Sequence, residues 1–526
     1  MHALSRIRRP AVLQRFAQSE SGGAIVLALI FFTLMVMMGG LAVDLMRYEV
    51  RRTTLQQTTD RAVLAAASMG QKLEPEDVVR DYFLKAGLAD KLKDVSVDEN
   101  FNSRSVIVHA SSEVDPFFMQ MLGINELDAP AYSRAQERIT DIEVSLVLDI
   151  SGSMDSNNRL INLKPAAREF VDLIFDGSQE GRTTMSIIPY SGQVNLGQTM
   201  ASVFNYTPIQ STSWCFDLPS TTFTSTTVSQ STAIIQASHV DPFTGSGTRA
   251  PSLFFCPPAS GNTVLPFSDS PTALKNKISG LDADGNTSID IGVKWGMTLL
   301  DPASNGIVTS LISKGVVNST YSDRPINPSA REVIKALVVM TDGENTEETV
   351  IKTAYRTGTS NIYRQTSTGK LAAYYNVAGS NDYYMPDNSS STRWQSKPFN
   401  SSTGWTQLSW PDVWKYASLQ YVAQKLYADP KGESYSTWMT NFRTTASTAT
   451  KNTRLQQICT ATKNKNIQVF AIAFGAPSGG KTQLKSCVSP ETSRYYEVDD
   501  YEADGGKLMS VFRAIASQIN HLRLTQ

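Results

Sequence analysis

The chain has 526 residues, enough for more than one domain, and its 41% apolar content can fill a sizeable core. A net charge of −1 removes any electrostatic case for nucleic acid. The four histidines, His2, His109, His239 and His521, are too scattered for zinc-ligand spacing or a histidine-based triad.

Residues 1–20 carry Arg6, Arg8, Arg9 and Arg15 and read as a basic cytoplasmic terminus. Residues 21–43, between Glu20 and Asp44, hold no charge and suffice for a single transmembrane helix. A cleaved signal peptide, with Gly40 and Ala42 before the cut, is the competing reading, but the run exceeds a usual apolar signal core. From Asp44 to Met69 there is no Gly or Pro, and Arg47, Arg51, Arg52 and Arg61 interleave with Leu45, Tyr48, Leu55 and Ala62, so the helix is expected to continue beyond the membrane. Ser21-Gly22-Gly23-Ala24, the apolar run, Gly40 to Asp44, and Leu55-Gln56-Gln57 to Ala65-Ala66-Ala67 resemble the N-terminal module of Flp/Tad (tight adherence) pilus-assembly proteins. Prepilins of that system carry a glutamate five residues after the cleavage glycine. Leu27 or Ala28 stands there in this chain, which favours a permanent anchor.

Residues 44–138 are expected to form a pilin-like extended helix and a small α+β module. Its elements are a helix over Pro75 to Leu92, strands over Asp94–Asn100, Ser103–Ser111 and Ala131–Ile139, and a short helix from Phe117 stopped by Gly123.

From residue 139 to 526, strand and helix patterns alternate as in a doubly wound α/β sheet. Strands are expected at Glu143–Leu148, Thr184–Pro189, Lys335–Met340, Ile467–Phe474 and Tyr495–Val498. Helices are expected at Leu163–Phe175, with Pro165 in the first turn, and at Ser288–Leu300, Arg454–Lys463 and Lys507–Leu522. Two stretches interrupt the pattern, about 195–282 and 346–447, each too long for a loop. Eight aromatics of the second, Tyr374, Tyr375, Tyr383, Tyr384, Trp394, Trp405, Trp410 and Trp414, form either a recognition surface or the insertion's own core. Cys215 and Cys256, and Cys459 and Cys487, form two local pairs that suggest two disulfides and an oxidising compartment.

Two acidic turns follow buried strands: Asp149-Ile-Ser151-Gly-Ser153 and Thr341-Asp342-Gly343-Glu344-Asn345. Carboxylate and hydroxyl oxygens clustered this way suit a hard cation such as magnesium. Asp282-Ala-Asp284-Gly-Asn286 does not continue as a calcium loop, because Thr287 and Val293 replace the required glycine and glutamate. The two turns, with Thr287 between them, resemble the metal-ion-dependent adhesion site (MIDAS) of von Willebrand factor A (VWA) domains. By that resemblance the metal residues are Asp149, Ser151, Ser153, Thr287 and Asp342, holding Mg2+ (or Mn2+/Ca2+). Ser151, Ser153 and Thr287 would bind directly, and the two aspartates through water or hydrogen bonds. An open position would accept an acidic side chain, with Met154 and Asn345 on the rim. No nucleophile and base pair accompanies the site, so a binding protein rather than an enzyme is expected.

The C-terminal stretch, with Cys459, Ile467 to Gly475, Leu484 to Cys487, Tyr495-Tyr496 and Phe512 to Leu524, resembles the end of TadG-type proteins. The combined resemblance implies an inner-membrane protein with a periplasmic bulk that acts in Flp pilus assembly, adherence and biofilm formation. Its partners would be pilin or pilus-assembly components. The alternative is a surface-exposed VWA adhesin or sensor that binds host or matrix ligands.

Overall fold

The computed structural model describes residues 21–100, 103–138, 140–176, 181–329, 332–376, 382–396, 404–488, 490–499 and 506–525. The basic segment 1–20 lies outside them. The chain divides into two compact units, Met1–Ile139 and Thr140–Gln526.

In the first unit, helix α1 spans Ser21–Ala67 without interruption, as the lack of helix breakers after Asp44 requires. It is long and apolar enough to cross a membrane. Its second half packs Leu55, Ala62, Val63 and Ala66 against Val106, Val108 and Ala131 of an antiparallel sheet. That sheet has the order β1 (Leu92–Asn100), β2 (Ser103–Val114), β3 (Leu127–Arg138). Helix α2 covers Pro75–Lys85, shorter than the expected 75–92, because residues 89–91 form a separate 3-10 turn feeding β1. A 3-10 turn, Met119–Leu122, stops at Gly123 with φ 87°, a conformation that costs glycine nothing.

The second unit is built on β4 (Asp141–Asp149), α3 (Arg159–Phe175), β5 (Thr183–Tyr190), β6 (Leu265–Ser268), α4 (Pro271–Ser279), α5 (Ile289–Thr298), β7 (Val333–Thr341), α6 (Thr448–Lys463), β8 (Gln468–Phe474), α7 (Ser478–Val488), β9 (Tyr495–Val498) and α8 (Gly506–Thr525). The sheet order is β9-β8-β7-β4-β5-β6. All pairs are parallel except β5 with β6. β4 is buried along its whole length, as a central parallel strand covered on both faces must be. Ile142, Val144, Leu146 and Leu148 face α3, α4 and α8, while Val147 faces α5, α6 and α7. This is the doubly wound α/β architecture expected from the sequence. Chain order reverses between β4 and β7, which makes their carboxyl ends the switch point.

Two expectations for this unit are corrected. Pro165 lies inside α3, which begins a turn and a half earlier at Arg159, rather than in its first turn. The stretch 195–282 is not all insertion, because β6 and α4 within it belong to the main fold. The short β6 sits at the sheet edge, where Pro266 removes no needed ladder bond, and so it carries no strong strand signal. Of the two readings open for the eight aromatics, burial favours the insertion's own core: Trp414, Trp410 and Tyr384 are buried and the other five half-buried.

They belong to a folded insertion. Its sheet orders residues 394–395, 383–384, 371–374, 359–365 and 405–409, and a two-stranded neck pairs Glu348–Ile351 with Arg443–Ala446. Trp410, Trp414, Tyr427, Trp438 and Phe442 pack ring against ring in its core. The remaining part of the first insertion docks on it, through Leu419 N–H to Asp241 O (2.8 Å) and the Arg356–Asp217 ion pair (2.8 Å). Disulfides join Cys215 to Cys256 and Cys459 to Cys487, the second tying α6 to α7.

Candidate functional site

Asp149 ends β4 and Asp342 follows β7, so parallel pairing of these strands sets the two carboxylates side by side. Leu148 is in register with Met340. The middle loop is pinned to the first by Gly152 N–H to Gly285 O and Asp284 N–H to Ile150 O, both 2.8 Å. α5 lies unusually close to the sheet. A Cβ at Gly292 would stand 2.7 Å from the Tyr190 ring, and one at Gly296 would strike Val147. The Ser145 hydroxyl donates to Gly296 O (2.8 Å) across that contact. The approach carries Thr287, just before α5, to the site. A Cβ at Gly343 would lie 2.9 Å from Thr287 Oγ1, so only glycine admits that threonine beside Asp342.

Asp149 is fully engaged by protein donors. Oδ1 accepts from Ser151 N–H (2.8 Å) and Oδ2 from the Thr341 hydroxyl (2.5 Å). Burial, and then the Asp342 charge, push its carboxyl up to about 7, against the pull of those donors. Ser151 Oγ and Ser153 Oγ are 3.0 Å apart, and both reach Asp342 Oδ1, at 3.5 and 2.8 Å. Oxygens at adjacent corners of a magnesium octahedron, with bonds of about 2.1 Å, stand about 3.0 Å apart. The 3.0 and 2.8 Å separations match that edge and the 3.5 Å one is longer, so Asp342 Oδ1 is placed for direct contact with an ion rather than only the water-mediated role expected from the sequence. Asp149, behind them, fits an orienting role through Ser151.

Arg159, the first residue of α3, donates from Nη1 to Asp342 Oδ2 at 2.7 Å. It was not among the residues expected here. Asp342 Oδ1 faces the serines, so the arginine leaves that oxygen free of its own contact. Burial raises the Asp342 carboxyl, and Ser153 and Arg159 oppose that shift. Further back, the buried Lys451 ammonium donates to Thr287 O (3.3 Å) and to Ser288 Oγ, and Asn345 Oδ1 accepts from Ile289 N–H (2.8 Å) at the start of α5. Behind the third loop, α7 comes so near that a Cβ at Gly480 would overlap Gly343 O.

All five expected residues thus converge. Met154 and Asn345, expected on the rim, are buried, whereas Asp155 and Glu344 are exposed. The sequence signals overlooked were local ones: the Gly292/Gly296 pair, and Gly479-Gly480 starting α7.

Residues 22–69 match a family model described as "Putative Flp pilus-assembly TadE/G-like". No curated protein matches the chain significantly. Among solved structures, the vWF domain of the type V pili tip protein Mfa5 from Porphyromonas gingivalis is 12% identical, with 73% of this chain and 96% of that one covered and a TM-score of 0.31. The pilus adhesin SpaC from Lactobacillus rhamnosus GG is 11% identical over 81% of this chain, which spans 33% of SpaC, at a TM-score of 0.30. The adhesive tip pilin GBS104 from Group B Streptococcus agalactiae is 13% identical, with 72% of this chain and 100% of that one covered, at 0.29. The doubly wound fold itself follows from the strand order and register described above.

Proposed function

We propose that this chain is a membrane-anchored assembly factor of a Flp/Tad-type pilus, with its bulk in the periplasm, and that its VWA domain binds a protein partner through a divalent cation. The observation that carries the pilus reading is the family match over residues 22–69, on a helix long enough to cross a bilayer. The two buried disulfides support an oxidising compartment outside the cytoplasm.

For the site, Ser151, Ser153 and Asp342 supply a cation-sized face of oxygens, with Thr287 beside it. Asp149 and Arg159 fix the orientation of that face. A magnesium ion there would supply an open coordination position for a partner's carboxylate. The serine hydroxyls are neutral donors, so a bound cation would keep net positive charge toward that acidic partner. No histidine lies among the residues of the site, and each carboxylate is committed to binding or orientation, which favours recognition over catalysis.

The test is in-cell photocrosslinking from Asp155 and Glu344, with wild-type and Asp149→Ala backgrounds compared by mass spectrometry. Crosslinks to pilin or pilus-secretion components that vanish in the variant are expected. Crosslinks only to extracellular material would favour a surface adhesin or sensor. Pilus-component crosslinks indifferent to Asp149 would remove the metal from the reading.

A further inference from the structure

The loop between β2 and β3 exposes a concentrated apolar surface. Phe117 is 68% exposed, Met121 80%, Leu122 52% and Ile124 42%. It is clasped to α1 within the apolar run itself. Phe118 lies over Gly40 so closely that no side chain fits there, and Phe118, Met121 and Leu122 line a small cavity with Val36, Met37 and Leu41. Asp44, the first charge after the run, accepts from the backbone N–H groups of Phe117, Phe118 and Met119 at 2.6–2.8 Å.

Helix length decides what covers this surface. The uncharged run is about 34 Å long at about 1.5 Å per residue. A hydrocarbon core is about 30 Å thick. If the loop stood clear of the bilayer, only Ser21 to Met35 would remain to span it, about 22 Å, which is too short. The loop therefore shares the depth of the last two turns of the span. Its backbone suits that depth. Besides the three amides held by Asp44, the N–H groups of Met121, Gly123 and Ile124 bond to carbonyls of the same loop. Hydrocarbon demands this internal satisfaction and water does not. Arg47 lies over the Phe117 ring at 4.0 Å and can hold its charge at the headgroup level.

We propose that residues 117–124 form a wedge immersed in the outer leaflet, which seats the module formed by β1, β2, β3 and α2 directly on the lipid. The occupant of the exposed apolar face is the acyl region of the bilayer. This rests on the reading of α1 as a membrane anchor.

The test places an environment-sensitive fluorophore on single cysteines of the full chain in lipid nanodiscs. The native cysteines are all disulfide-bonded, so labelling is specific. Met121→Cys reports the wedge, Phe32→Cys the span and Lys85→Cys the water phase. Spin-labelled lipid should quench Met121 nearly as much as Phe32, and several-fold more than Lys85. Quenching at Phe32 with Met121 as wet as Lys85 would overturn the wedge alone. A dry but unquenched Met121 would also overturn it, since a protein surface would then cover the loop. An unquenched Phe32 would remove the membrane anchor and the wedge together.

Discussion

The two ends of β4 handle buried charge in opposite ways. At the amino end, Arg324 meets Asp141 at 3.0 Å and Glu143 at 3.1 Å, Lys335 meets Glu143 at 2.6 Å, and Arg182 stands 3.8 Å from Asp141. Two acids face three bases. At the carboxyl end, Asp149 and Asp342 lie side by side, and among the described residues the ion pair there is Arg159 with Asp342. An uncompensated buried charge costs several kcal/mol. The amino end is therefore finished structure, while the carboxyl end retains a charge deficit that a divalent cation would relieve.

The largest effect expected from breaking this contrast is at the finished end. Arg324→Leu should cost about 3–5 kcal/mol in urea unfolding, equally with and without magnesium. A loss that magnesium repairs would mean the two ends are coupled. Next, saturating magnesium at about 100 times its Kd should stabilise the wild type by about 2.7 kcal/mol, and Asp149→Ala or Asp342→Ala not at all. An equal thermal shift in either variant would refute the site. Arg159→Gln should lower metal-free stability by about 1.5–3 kcal/mol while enlarging the magnesium response, because the ion then becomes the main compensation for Asp342. A smaller response would instead make Arg159 part of the binding shell. Gly480→Ala should cost about 1–3 kcal/mol and weaken the magnesium response by displacing the third loop. An unchanged response, measured calorimetrically, would show that loop to be independent of α7.

Acid sensitivity away from both ends provides a control. Burial, and then the Lys415 charge, hold the His239 imidazole down to about 4, and it stacks on Phe254. The unfolded chain takes up that proton near 6.5 and the folded chain only near 4, so stability should fall as pH drops across that window. His239→Phe should flatten that segment of the stability–pH curve and leave the magnesium response intact. If it does not flatten, other groups carry the acid loss.

Most of the candidate site was legible because its signals are local. Asp-x-Ser-x-Ser after an apolar strand, and Thr-Asp-Gly after another, mark strand-end turns wherever the strands go. Arg159 was not legible, because its partner is 183 positions away and its role follows only from the arrival of β7. β6 was missed for the opposite reason: a four-residue edge strand containing a proline has too little periodicity to announce itself. The aromatics of the second insertion could not be sorted from sequence, since composition is the same for a recognition face and a ring-packed core.

The sequence by itself determined the uncharged span, the alternation of strand and helix, the cysteine pairs and the oxygen-bearing turns. Each is a property of neighbouring residues: hydropathy, spacing and turn chemistry. Tertiary structure alone decided that the two carboxylates share one site, that an arginine partly compensates them, that close glycine contacts deliver Thr287, and that the β2–β3 loop lies level with the end of the span. Those facts depend on strand register, helix approach and burial, which bring together residues that the chain keeps dozens to nearly two hundred positions apart.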